Sequence, residues 1–293
     1  MFEGKIGAHF EGFLEWSART KKKNTIKEYR RMTNGPFQIV AGISVRKFRM
    51  ADVALIRESA KDYGEYAEEK AMVVFRRFAR YLKEIDHPLS IDWRDVQINR
   101  KKPKVVDFLD VSEIDRLREA INLRSENGIR TRAMFELMLH TGLRISEAIS
   151  LCIRDINFER MEISVTNCKS GKKQVVYLTE NAARWIRRYL DLRRDDCPYL
   201  FISSRVKNPT RPICTGTARA ELTNCENKAG LSKPVYWHLL RKTFVTQLLF
   251  NGVDIKTTQH LARHESEGTT LRHYAAVNHA NARADFERVM DRV

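Results

Sequence analysis

No stretch of this 293-residue sequence approaches the roughly 18 consecutive apolar residues of a membrane span. The opening MFEGKIGAHFEGFLEW carries an acid at Glu3 and lacks the apolar run of about 7 to 15 residues found in a secretory signal. With only 13 glycines and 7 prolines beside 43% hydrophobic residues, there is no room for a long disordered or low-complexity tract. The five cysteines, Cys152, Cys168, Cys197, Cys214 and Cys225, contain no Cys-x-x-Cys pair and no Cys/His set at zinc spacing. An odd, scattered set excludes a disulfide framework and points to reduced thiols. Acids are spread among basic residues, with no cluster suited to paired magnesium ions. These absences lead us to expect a globular cytoplasmic protein off the membrane, with neither metal nor cofactor.

Positive charge is what the sequence has in excess. Lys and Arg total 53 against 37 Asp and Glu, a net of +16. Such a balance favours a polyanionic partner, nucleic acid before an anionic membrane, although a merely basic soluble enzyme would share it. The length suits two domains rather than one small core.

From Gly7 to about Asp95, apolar residues recur at spacings of three and four in EGFLEWSA, NTIKEYRRM, MADVALIRESAKDYG and EEKAMVVFRRFARYLKEI. Breaks at NGPF and His87-Pro88 divide the pattern into a bundle of four or five helices. Within it, Arg19, Lys21, Lys22, Lys23, Lys27, Arg30 and Arg31 surround Thr25, a candidate N-cap with Glu28 three residues on. Cations at a helix start oppose the macrodipole, so the cluster serves something other than helix stability: phosphate contact or a solvated face. INRKKPKVVDFLD follows, with Arg100, Lys101, Lys102 and Lys104 around a proline, an extended linker able to track a phosphate backbone. The expected division is an N-terminal helical domain at 1–98, a basic linker at 99–110 and a second domain at 111–293. That domain is mainly helical, with one strand in RMEISVTN presenting Met161, Ile163 and Val165 on one face, a partner in KQVVYLT, and a hairpin turn between.

In HTGLRISEAISL a helix ends at Gly142 and another starts almost at once, with Arg144 in its first turn beside Ile145, Ala148, Ile149 and Cys152. The unpaired N–H groups of a helix start beside a guanidinium suit an oxyanion, though a lone arginine there is usually solvated. In the helix that starts with WHLLRKTF, the apolar arc runs through Leu240, Phe244, Leu248, Val245 and Leu249, with Arg241 near its middle and His238 at its edge. A guanidinium drawn out of water needs an anion or a ring of acceptors. His238 and Arg241 share one side of their helix, as a core histidine with a structural ion pair or as a site. His264 and, ten residues later, Tyr274 complete the series.

Taken together, the order Arg144, Lys169, His238-x-x-Arg241, His264, Tyr274 resembles the catalytic set of the tyrosine recombinases, the phage integrase family. TGLRISEAISL is similar to its first box and HLLRKTFVTQLLFNGVDIKTTQHLARH to its second, while CKSGKKQVVYL resembles its hairpin with Lys169 in the catalytic slot. The basic bundle and linker are similar to the family's core-binding domain, which implies that residues 1–98 form a DNA clamp and 111–293 the catalytic domain. Two departures stand out: Arg263 occupies a position usually glycine, and the interval to Tyr274 is one residue longer than the commonest, placing His273 where tyrosine is expected. One residue turns a helix by about 100° and shifts it roughly 1.5 Å, so either the ESEG loop absorbs it or the site is altered. Since a histidine would yield a labile phosphoramidate, Tyr274 is the expected nucleophile.

The resemblance implies a mainly α fold: a SAM-like N-terminal helical bundle followed by a mostly helical catalytic domain with a small antiparallel β-sheet, the DNA breaking-rejoining fold. Arg144 and Arg241 would bind the scissile phosphate, His238 would accept the phenol proton or donate a bond, Lys169 would protonate the leaving oxygen, and His264 would be a further donor. Lys172 and Lys173 lie in the same turn as Lys169. The expected partner is double-stranded DNA, bound by a homo-oligomer, a tetramer across two sites. The terminal stripe Phe286, Val289, Met290 and Val293 would pack on its own domain or dock into a neighbouring protomer. From the length, no arm-binding module is expected before the bundle. A DNA-binding protein of this fold without strand transfer and a type IB topoisomerase are the competing expectations.

Overall fold

The computed structural model describes residues 4–100, 107–166, 173–203, 210–264, 268, 270 and 271. The chain divides into two compact units, Met1–Pro103 and Lys104–Val293.

The first unit contains α1 (Phe10–Ala18), α2 (Lys23–Thr33), α3 (Met50–Lys61) and α4 (Ala67–Glu84), with short 3-10 turns at Ile6–His9, Pro36–Val40 and Val45–Lys47. Its core is aromatic, with Phe10, Phe13, Phe37, Phe48, Phe75 and Phe78 all buried in one cluster. Phe13 meets Phe78 edge-on and Tyr29 in a stack, the offset arrangements that ring quadrupoles favour. Each such ring contributes about 1.5–3 kcal/mol through burial alone, which lets few residues hold the bundle. The N-cap of α2 is Lys22, without a side-chain cap bond, and Thr25 lies inside the first turn. Lys21, Lys22, Lys23 and Lys27 are exposed. Arg30 is also exposed, but its guanidinium is engaged by Glu11 at 2.8 Å.

In the second unit, α5 (Val111–Ala120), α6 (Glu126–Thr141) and α7 (Ile145–Ser150) precede a three-stranded antiparallel sheet of β1 (Ile156–Asn157), β2 (Glu162–Thr166) and β3 (Lys173–Tyr177). Then come α8 (Glu180–Leu190), α9 (Thr215–Ala229), α10 (Trp237–Phe250) and α11 (Ile255–Ala262). Local signals fix the boundaries: Ser125, Thr179 and Asp254 accept N-cap bonds for α6, α8 and α11. Gly142 and Gly230 close α6 and α9 in the left-handed conformation. Helix α6 is the hub, buried on nearly every face and packed against α8, α9 and α10. Ile163 and Val165 of β2 and Val176 of β3 point into the core. Met161 instead sits just before β2 with φ of 54°, in the turn that delivers the strand. No helix among the described residues is long and apolar enough to cross a membrane.

Candidate active site

The second unit gathers its cations where the α6–α7 corner meets α10 and the end of α11. At the corner, Gly142 has φ of 59° and an added Cβ would collide with the Phe244 ring, so both conformation and space demand glycine. Its carbonyl is thereby turned toward α10. Two residues on, Arg144 is the N-cap of α7 rather than a first-turn residue. Glu147, at the third position of that helix, accepts the Arg144 backbone N–H at 2.8 Å and the guanidinium Nη1 at 2.7 Å. The Arg144 side chain remains one-quarter exposed, so it is held at the edge of the site rather than sealed in it. Burial alone would raise the Glu147 carboxyl, but the N–H and guanidinium of Arg144 and the charge of Arg263 together hold it below its ordinary value.

Helix α10 carries Arg241 into the interior, where it is only 2% exposed. A ring of acceptors meets it: Nη1 donates to the Gly142 carbonyl at 2.6 Å and Nη2 to the Ala262 carbonyl. Burial, then the cations of Arg144 and Arg263, push its pKa down to about 9, against the pull of Glu147. At neutral pH it stays charged, a buried cation satisfied by carbonyl dipoles and without an ion-pair carboxylate among the described residues. One turn earlier, His238 reaches solvent. Partial desolvation, then Arg241, Lys242 and Arg144, lower its pKa from the imidazole value, so the ring is neutral near pH 7.

Helix α11 ends at Arg263, a non-glycine residue in the left-handed conformation with φ of 55° and ψ of 46°. The conformation accounts for the glycine expected there. The arginine side chain turns inward and is almost fully buried, donating Nη2 to the Gly142 carbonyl at 3.2 Å and to Glu147 Oε2 at 3.3 Å. In return, the Arg263 carbonyl accepts Arg144 Nη2 at 3.2 Å. Next in the chain, His264 has Nδ1 2.8 Å from Thr270 Oγ1.

Of the residues singled out from sequence, Arg144, His238 and Arg241 therefore share one electrostatic site, and His264 adjoins it through Arg263. Lys169, His273 and Tyr274 lie outside the described residues, as do Lys101, Lys102, Lys104, Cys168 and the stripe Phe286, Val289, Met290 and Val293. Sequence reasoning missed Glu147. Its signal was present, an acid three residues after the start of a helix, the spacing of a capping box.

Residues 107–281, more than half of the chain, match the model of the phage integrase family. The chain belongs to the phage integrase family. Within this family, tyrosine recombinase XerA of Pyrococcus furiosus is 38% identical over 173 residues, 59% of this chain and 58% of that protein. The match thus spans little more than half the length of that relative. Tyrosine recombinase XerD of Ralstonia nicotianae is 28% identical over 265 residues, covering 87% of this chain and 84% of that one. Among solved structures, the Tn1549 transposon integrase in complex with circular intermediate DNA is similar in fold with a TM-score of 0.76 at 19% identity, over 97% of this chain and 99% of that one.

Proposed function

We propose that the protein is a site-specific DNA recombinase that cuts and rejoins strands through a 3′-phosphotyrosine, without metal or ATP. The observation that carries this reading is the convergence of Arg144 and Arg241 on adjoining backbone carbonyls of one junction, in a chain of the phage integrase family. Two guanidiniums so fixed can donate to the nonbridging oxygens of one phosphate, where attack adds negative charge. Because their positions are set by the fold before DNA arrives, little reorganisation accompanies the transition state.

In this reading the Tyr274 oxygen attacks phosphorus, the new P–O bond forms, and the bond to the 5′ oxygen breaks. The phenol proton passes to His238, whose lowered pKa keeps it neutral and able to accept. Lys169 supplies the proton that the leaving 5′ oxygen requires, and His264 adds a donor to the phosphate. The phosphotyrosine retains the bond energy for religation to another strand. Lys21 and Lys22 just before α2, and Lys23, Lys27 and Arg30 within it, with Lys101, Lys102 and Lys104 of the linker, contact the DNA backbone, and the first unit acts as the clamp. Protomers assemble as a tetramer across two sites in the cytoplasm, joined through the C-terminal stripe.

Incubation with nicked site DNA, which traps the intermediate by losing the downstream strand, tests the reading. A covalent protein–DNA adduct is expected and Tyr274→Phe abolishes it. DNA binding with no adduct would leave a silent binding protein of the same fold, and relaxation of supercoils by a monomer without a defined site would point to a type IB topoisomerase.

A further inference from the structure

Arg263 is costly twice over. A non-glycine residue in the left-handed conformation is strained, and a buried guanidinium must be re-solvated by protein. Its surroundings do this incompletely: Nη2 reaches the Gly142 carbonyl and Glu147, Nη1 reaches the Leu261 carbonyl at 3.2 Å and the Thr141 carbonyl at 3.5 Å, and buried Nε has no partner among the described residues. A side chain placed for stability alone would not be expected here, since glycine relieves the backbone and removes the buried charge.

Its contacts connect it to both arginines of the site. Glu147 grips Arg144 by Nη1 and would, unaided, cancel much of the charge it positions. Arg263 meets the other oxygen of that carboxylate, and its second contact is the carbonyl that receives Arg241 Nη1. Among the described residues, Arg144 and Arg263 thus both pair with the carboxylate of Glu147, and Arg241 shares the Gly142 carbonyl with Arg263.

We infer that Arg263 is a positioning residue for strand cleavage: it neutralises and fixes Glu147, so that Glu147 orients Arg144 toward the scissile phosphate without cancelling its charge. This role rests on the recombinase reading. Arg263 is buried against carboxylate and backbone, so its loss is expected to act on cleavage and not on DNA affinity.

The test is single-turnover adduct formation on nicked site DNA by wild type, Arg263→Gly, Arg263→Lys, Glu147→Gln and the Arg263→Gly/Glu147→Gln double variant, with DNA affinity measured beside each. Arg263→Gly is expected to cleave about 100-fold more slowly with affinity changed less than about twofold. Arg263→Lys, which keeps the charge but cannot span both acceptors, is expected to lose about 10-fold and covers the case in which the glycine variant fails to fold. Because Arg263 acts through Glu147, the double variant should be little slower than Glu147→Gln alone. Wild-type cleavage by Arg263→Gly or Arg263→Lys, or losses that multiply in the double variant, would overturn the role of Arg263 while leaving the recombinase reading intact. Absence of any adduct with the wild-type protein would instead overturn the reading beneath it.

Discussion

Arg144 and Arg263 hold each other reciprocally: the Arg144 guanidinium donates to the Arg263 carbonyl at 3.2 Å, and the Arg263 guanidinium binds Glu147 Oε2 at 3.3 Å, the carboxylate whose other oxygen anchors Arg144 at 2.7 Å. Two like charges are thereby kept near one another by a shared anion and a crossed backbone contact. Remove the anion and the arrangement should open.

Glu147→Gln keeps the shape and deletes that charge. We expect it to lower stability by about 3 kcal/mol, the lower end for breaking a buried pair, and to slow adduct formation. Urea denaturation reads the first effect. An unchanged midpoint would mean that the carboxylate does not hold the cations together.

Gly142→Ala attacks the same junction through the backbone. The left-handed conformation costs alanine roughly 1–2 kcal/mol, and its Cβ would also displace the Phe244 ring. A loss of more than about 2 kcal/mol is expected. Cleavage should fall further than DNA affinity, because the displaced carbonyl serves Arg241 and Arg263 together. A stable variant with normal cleavage would show that the corner tolerates a side chain.

The pH profile of adduct formation should report His238. Its lowered pKa means that the neutral, proton-accepting ring persists below the ordinary value of 6.5 and is lost only as pH falls through the depressed value. The acid limb of the rate should therefore lie below pH 6.5. Lys242 is one cation that depresses it, so Lys242→Ala should move the limb upward. A limb that stays put in Lys242→Ala, or persists in His238→Gln, would assign the limb to another group.

How much of this site was legible in the sequence depended on whether the signal was local. The Gly142 helix end needed only a glycine after an apolar pattern, and Arg241 stood out as a cation within an apolar arc. Arg263 was visible only as an arginine in a glycine slot. Where its side chain went depended on α11 ending against a corner some 120 residues earlier in the chain, a tertiary fact with no periodic trace. Glu147 was local but hidden by its neighbour, since a helix with arginine at its N-cap lacks the usual Ser, Thr, Asp or Asn. Thr25 shows the opposite failure: a good cap residue with Glu28 in register was passed over because α2 starts earlier, at Lys23.

Salt should weaken DNA binding steeply. If the chain of net charge +16, with exposed lysines at the start of α2, binds the duplex as proposed, it displaces counterions, and each neutralised phosphate adds about 0.9 to the slope of log K against log salt. Replacing Lys21, Lys22 and Lys23 by Ala should shallow the slope by about 2 to 3. A slope that is flat in the wild type would remove backbone contact as the source of affinity.

Acid should find the weakest point of the second unit at Glu136, fully buried on α6. Burial acts to raise its pKa, but bonds from His140 and Arg118 with the charges of Arg118 and Arg132 prevail and hold it at about 2 instead of 4.5. A folded-state value below the unfolded one gives stability that is fully present above pH 4.5 and lost as pH falls through about 2. The depression corresponds to about 3 kcal/mol. Glu136→Gln should therefore be much less stable than wild type at pH 7, and the gap should close as the pH approaches 2. Guanidinium chloride would screen the very charges at issue, so urea melts at several pH values are the measurement of choice. A gap that stays constant with pH would mean that packing of the glutamate side chain, not its charge, holds α6 in place.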